Sequence, residues 1–154
     1  MKQNEKAIEV LNDLIEINND RTAGYEKAAD EARNIDVDLR SIFIRMAEES
    51  RQYANELGSE VVKLGGKPET GTTASGKIYR AWMDVKATFT GKDRHSILAA
   101  CEYGEDAAQK AYKEALEDND LTGGLREKVM EQKAALRNSH DLIKQYRDMH
   151  EVAK

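Results

Sequence analysis

Cysteine is nearly absent from this sequence, with Cys101 standing alone. One thiol cannot close an intramolecular disulfide, and it offers no paired-cysteine metal knuckle. Proline is as scarce: Pro68 is the one residue of its kind. Aromatic residues make up 6% of the chain and β-branched runs are missing, whereas alanine and glutamate abound. Such a composition suits helices and leaves little from which to build a sheet. No apolar run approaches the roughly 18 residues that a membrane helix needs. The amino-terminal stretch MKQNEKAIEV also lacks the apolar centre of a signal peptide. Basic clusters are missing too, and the net charge is -5. Nucleic acid is gripped through patches of lysine and arginine, so it is not an expected partner. What these absences leave is a cytoplasmic helical protein. Its 154 residues are enough for a single domain, 1–154, with a real core.

What is present is periodicity. From about Glu5 to Asn34, the residues Ile8, Leu11, Ile15, Asn18, Thr22, Tyr25, Ala29 and Ala32 recur at spacings of three and four, the mark of an amphipathic helix. Asp36 is placed to cap a second helix, which carries Leu39, Ile42, Met46, Tyr53 and Leu57 on one stripe and stops at Gly65-Gly66. Residues 66–92 read as a long crossover. Within it, Ile78, Trp82, Val85 and Phe89 give a short helix one apolar face over 77–89. A third helix spans about 93–118 with the seam Leu98, Cys101, Glu105, Ala108, Tyr112 and Ala115. After a turn at 119–124, with Asp120 or Thr122 as its cap, a fourth runs to about Glu151 with Leu125, Val129, Leu136, Ile143 and Tyr146 inward. Short turns inside each pair and a long connection between the pairs describe an all-α, ferritin-like four-helix bundle. A weak internal echo accompanies this: GYEKAADE from Gly24 resembles AYKEALED from Ala111, and superposing Tyr25 on Tyr112 sets Asn18 opposite Glu105. A second stripe on the first helix, Val10, Leu14, Ile17, Gly24 and Ala28, is either the wide face a bundle needs or the contact of a homodimer.

The seams are interrupted by polar residues at one height. Counted from the turns, Asn18, Glu49, Gln52, Glu105, Arg137 and His140 all fall near mid-bundle. In di-metal carboxylate bundles two helices each supply a Glu and the other two each supply Glu-x-x-His. The corresponding positions here hold Asn18, Glu49-x-x-Gln52, Glu105 and Arg137-x-x-His140. Neutral amides are weak ligands for a divalent transition metal, and an arginine brings a fixed positive charge. The expectation is therefore a degraded di-metal site: a metal-free ionic cluster with Glu49, Glu105 and Arg137 at its centre and Asn18, Gln52 and His140 around it. The alternative is a metal site built from Glu49, Glu105 and His140, three donors with an open position that would suit iron, zinc or manganese.

Four segments, LNDLIEINNDRTAGYEKAA, FIRMAEESRQYANELGSEVVKLGGKPE, GKIYRAWMDVKATFTGKD and ILAACEYGEDAAQKAYKEAL, carry a resemblance over nearly the whole chain. Together they resemble a bacterial four-helix-bundle family of unassigned function within the ferritin-like superfamily. AWMDVKATFTG, from Ala81 to Gly91, and GEDAAQKAY, from Gly104 to Tyr112, are its more specific parts. The resemblance implies the bundle with its crossover. It does not imply ferroxidase activity, since rubrerythrins and bacterioferritins carry the full ligand set from which this chain departs at Asn18, Gln52 and Arg137. The reading is a non-catalytic structural or interaction protein, stress-related roles included, with the metal-binding protein as its rival.

Overall fold

A computed structural model describes residues 2–33, 36–71, 94–117 and 119–153. Among these, four helices account for the secondary structure: α1 (Lys2–Ala32), α2 (Val37–Lys63), α3 (Arg94–Glu117) and α4 (Gly123–Ala153). The short helix expected over 77–89, with Trp82, lies outside the described residues. No described helix is long and apolar enough to cross a membrane.

Local chemistry sets the helix ends. Asp36 holds extended backbone angles, and its carboxylate accepts from the Leu39 amide at 3.1 Å, satisfying a donor that the first turn of α2 leaves open. At the other end Gly65 takes φ 87°. The Gly65 amide donates to the Val62 carbonyl at 3.0 Å and the Gly66 amide to Val61 at 2.9 Å. This pair of bonds is a Schellman ending, which favours glycine at the left-handed position. Gly66 then lies against α1 so closely that a Cβ there would stand 2.8 Å from Ile8 Cδ1.

Cross-helix bonds give the directions. Tyr25 reaches Glu105 and Asn18 reaches Tyr112, so α1 and α3 run antiparallel. Gln109 with Lys133 and Glu102 with Arg147 set α3 antiparallel to α4. Glu49 with Ser139 and Glu60 with Lys128 do the same for α2 and α4. Adjacent helices are thus all antiparallel, and α2 and α3 are parallel diagonal partners. The ion pair of Arg94 with Asp36 places the start of α3 beside the α1–α2 turn, while Gly66 sits by Ile8 at the opposite end. The connection from α2 to α3 therefore joins opposite ends of the bundle. It departs along the α1–α2 face. Asn12 brackets it by donating to the Lys67 carbonyl and accepting from the Glu69 amide, and Asn19 donates to the Gly71 carbonyl.

The predicted seams are inward. Leu11, Ile15, Asn18, Tyr25 and Ala32 of α1 are buried, as are Leu98, Cys101, Glu105, Ala108, Tyr112 and Ala115 of α3. Among the described residues the core divides in two. One cluster gathers Tyr25, Ala32, Leu39, Phe43, Leu98 and Ile143, and the other Leu11, Ile15, Leu57, Tyr112, Val129 and Leu136. On every helix the division falls at a polar residue. The second stripe of α1 is also buried within the single chain, with Leu14, Ile17, Gly24 and Ala28 all covered and Val10 partly so. Within the chain these residues serve as the wide inner face of α1.

Candidate functional site

Between the two apolar clusters lies a polar layer centred on Arg21, which is 1% exposed. Its guanidinium is held from α2 and α3. Nε donates to Glu105 Oε1 on α3 at 2.6 Å. Nη1 donates to Ser50 Oγ at 2.6 Å and to the Met46 carbonyl at 3.2 Å, both on α2. The same nitrogen lies 3.3 Å from Glu49 Oε1. Tyr25 donates its hydroxyl proton to Glu105 Oε1 at 2.6 Å, and its ring lies under the guanidinium at 4.9 Å. Glu49, on the solvent side of the layer, accepts from Ser139 Oγ of α4 at 3.0 Å. A cleft of about 250 Å³ between α2 and α4 opens onto it, lined by Arg45, Glu49, Asn138 and Ser139 among others.

One turn below, Asn18 donates its amide to the Tyr112 hydroxyl at 2.8 Å, and Tyr112 donates to Gln132 Oε1 at 2.7 Å. The two halves mirror each other: Tyr25 meets Glu105, and Tyr112 meets Asn18. Each tyrosine crosses to the residue seven places before the other tyrosine, the relation implied by the echo between GYEKAADE and AYKEALED. The mirror breaks at Arg21, whose counterpart under the same superposition is Ala108. One half supplies the large cation and the other a small buried residue.

Of the six residues expected in the cluster, Asn18, Glu49 and Glu105 belong to it. The other three need correction. Gln52 is exposed, and Arg137 is 62% exposed, pairing with Asp141 one turn along its own helix. His140 faces the α3–α4 surface, with Nε2 2.6 Å from Asp106 Oδ1 and Nδ1 3.3 Å from Asp141 Oδ1. The α4 seam runs as expected through Val129, Leu136 and Ile143, and at the level of the layer Ser139, not His140, continues it. Arg21 was overlooked because a charged residue on a helix is ordinarily solvated. Its spacing held the signal, three residues after Asn18 and four before Tyr25. Gln132 fits the α4 seam in the same way, three after Val129 and four before Leu136.

Burial and charge perturb the titrating groups. Burial works against the Arg21 charge, but Glu105, Tyr25 and Glu49 outweigh it and hold the guanidinium above its ordinary range. Burial, then the charge of Glu105, raises Tyr25 well above a free phenol and Cys101 well above a free thiol. Burial and Glu49 push Tyr53 up to about 12. A lone buried thiol so raised is an inert packing group. The layer does not fit a di-metal centre. A guanidinium already lies between its two carboxylates, and His140 bonds to a different pair of acids. Among the described residues no three His, Cys, Asp or Glu side chains are grouped to hold an ion.

No curated protein matches the chain. A family model described as a domain of unknown function (DUF2383) matches residues 6–118, from the first turns of α1 through α3 with Asn18, Arg21, Glu49 and Glu105 inside it, and the chain belongs to that family.

Proposed function

We propose that this protein is a non-catalytic bundle of ferritin-like architecture in which a fixed guanidinium does the electrostatic work that metal ions do in metal-bearing relatives of that fold. On this reading the layer is a degraded di-metal site. The chain acts as a cytoplasmic structural or interaction protein, with neither metal nor nucleic acid as a partner. The observation that carries the proposal is the position of Arg21, 2.6 Å from Glu105 and 3.3 Å from Glu49. Two carboxylates in a bundle core need positive charge, and a covalently attached cation cannot be lost or exchanged. A buried ion pair of this kind often adds no net stability, because desolvation offsets its attraction. Its best-attested use is to set register, and the antiparallel registers of α1 with α3 and α1 with α2 both pass through this guanidinium.

The test is elemental analysis of protein purified without chelator, alongside Arg21→Ala and Glu105→Ala. Iron, zinc and manganese are expected far below one ion per chain in the wild type. Arg21→Ala, which removes the resident cation, is the variant expected to gain affinity for a divalent ion. Stoichiometric metal in the wild type that disappears in Glu105→Ala would overturn the proposal.

A further inference from the structure

Three buried polar atoms of the layer meet no protein partner: Asn18 Oδ1, Arg21 Nη2 and Glu105 Oε2. We propose that these three atoms converge on one bound water molecule, which accepts a hydrogen bond from Arg21 Nη2 and donates one each to Glu105 Oε2 and Asn18 Oδ1.

The argument begins with the shape of the guanidinium. Its Nε–H and one Nη–H project from the same edge, and that edge meets both oxygens of a carboxylate in a bidentate pair. Here half of such a fork is made, Nε to Oε1 at 2.6 Å, while Nη2 and Oε2 make no bond. The reason lies in the neighbours. Tyr25 also holds Oε1, at 2.6 Å, which pins the carboxylate. Ser50 and the Met46 carbonyl hold Nη1 from α2, which pins the other side of the guanidinium. Neither group is free to turn and close the fork. Asn18 is fixed as well, because its amide nitrogen donates to the Leu14 carbonyl at 2.9 Å and to Tyr112. Flipping the amide would set its oxygen against the Leu14 carbonyl, so the oxygen stays on the side away from these bonds.

The inventory then selects the ligand. One donor nitrogen and two acceptor oxygens lack partners, and a water can accept from one N–H of that nitrogen while donating to both oxygens. A metal cation would face the Arg21 charge, and an anion would face the oxygens of Glu105 and Asn18. Buried polar groups are overwhelmingly hydrogen-bonded, and internal water is the usual partner where protein supplies none. This inference rests on the reading of Arg21 as the resident cation, and it makes the layer a hydrated joint between two dry clusters.

A crystal structure at a resolution that orders internal water, with anomalous data at the iron and zinc edges, tests it. Expected is one isolated, non-anomalous peak within hydrogen-bond distance of all three atoms. A direct bond between Arg21 Nη2 and Glu105 Oε2, with no density between them, would overturn the water and leave the proposed function standing. An anomalous peak held by Glu49 and Glu105 would overturn both. In solution, water relaxation dispersion is expected to show one fewer long-lived internal water in Asn18→Leu than in the wild type, and an unchanged number would count against the site. Should Asn18→Leu fail to fold, the crystallographic result on the wild-type chain decides alone.

Discussion

Removing the guanidinium of Arg21 would leave Glu105, 0% exposed, with an uncompensated charge. Breaking one partner of a buried pair costs about 3–5 kcal/mol, so Arg21→Met is expected to lower the urea midpoint sharply. Arg137→Ala removes an arginine that is 62% exposed, and its effect is expected to stay within about 0.5 kcal/mol. Equal losses in the two variants would mean that the compensating charge has been assigned to the wrong residue. The tyrosines should differ as well. Tyr25→Phe leaves Arg21 on the same carboxylate oxygen. Tyr112→Phe strands Gln132 Oε1 and leaves the Asn18 amide with only its bond to the Leu14 carbonyl, and a buried group left without a partner costs about 1–3 kcal/mol. Tyr112→Phe is therefore expected to be the more damaging of the two in the same urea assay. At this scale the sequence was legible only in part. Asn18 and Glu105 stand out as polar breaks in otherwise apolar seams, whereas Arg21, Ser50, Gln132 and Ser139 lie next to residues that fit the same spacing equally well.

Helix ends and the departure of the crossover depend on a few positions with distinct roles. Asp36 both caps α2 and pairs with Arg94 of α3. Asp36→Asn keeps a capping oxygen and loses the charge, whereas Asp36→Ala loses both. Loss of a cap costs about 1 kcal/mol, so the alanine variant is expected to be less stable than the asparagine variant by roughly that amount and to show the lower thermal midpoint. Similar midpoints would mean that the cap contributes nothing. Gly66 has a different constraint, since a Cβ there would stand 2.8–3.0 Å from three atoms of Ile8. Gly66→Ala should destabilise the chain, and Ile8→Ala in the same background should recover part of the loss. A double-mutant cycle with no coupling would show that the close approach is not what requires glycine. These ends were readable beforehand because capping and glycine termination are local: Asp36 and Gly65-Gly66 announce themselves from neighbours in sequence alone.

At the largest scale, two apolar clusters among the described residues are joined through a polar layer, and buried acids of high pKa sit within or beside that layer. The folded chain keeps protons on Tyr25, Cys101 and Tyr112, all raised mainly by burial. The unfolded chain releases them near the ordinary values of about 8.5 for cysteine and about 10 for tyrosine. Above those values the unfolded state binds fewer protons than the native one, so stability falls as pH rises. Urea midpoints are expected to decline from about pH 8.5 upward, and Cys101 should resist alkylation until the chain unfolds. A midpoint that holds steady through pH 10 would contradict the burial of these groups.

The sequence by itself determined the helices, their inward seams and the height at which polarity enters the core. Each of these follows from periodicities of three and four residues and from residue types that cap or break a helix. Which side chains meet inside that layer was decided by tertiary structure alone. Neighbouring residues such as Arg21 and Thr22, or Ser139 and His140, differ by about 100° around a helix of 3.6 residues per turn. Both members of a pair can satisfy one sequence pattern, and only the rotation of each helix against its neighbours chooses which of them faces the carboxylate.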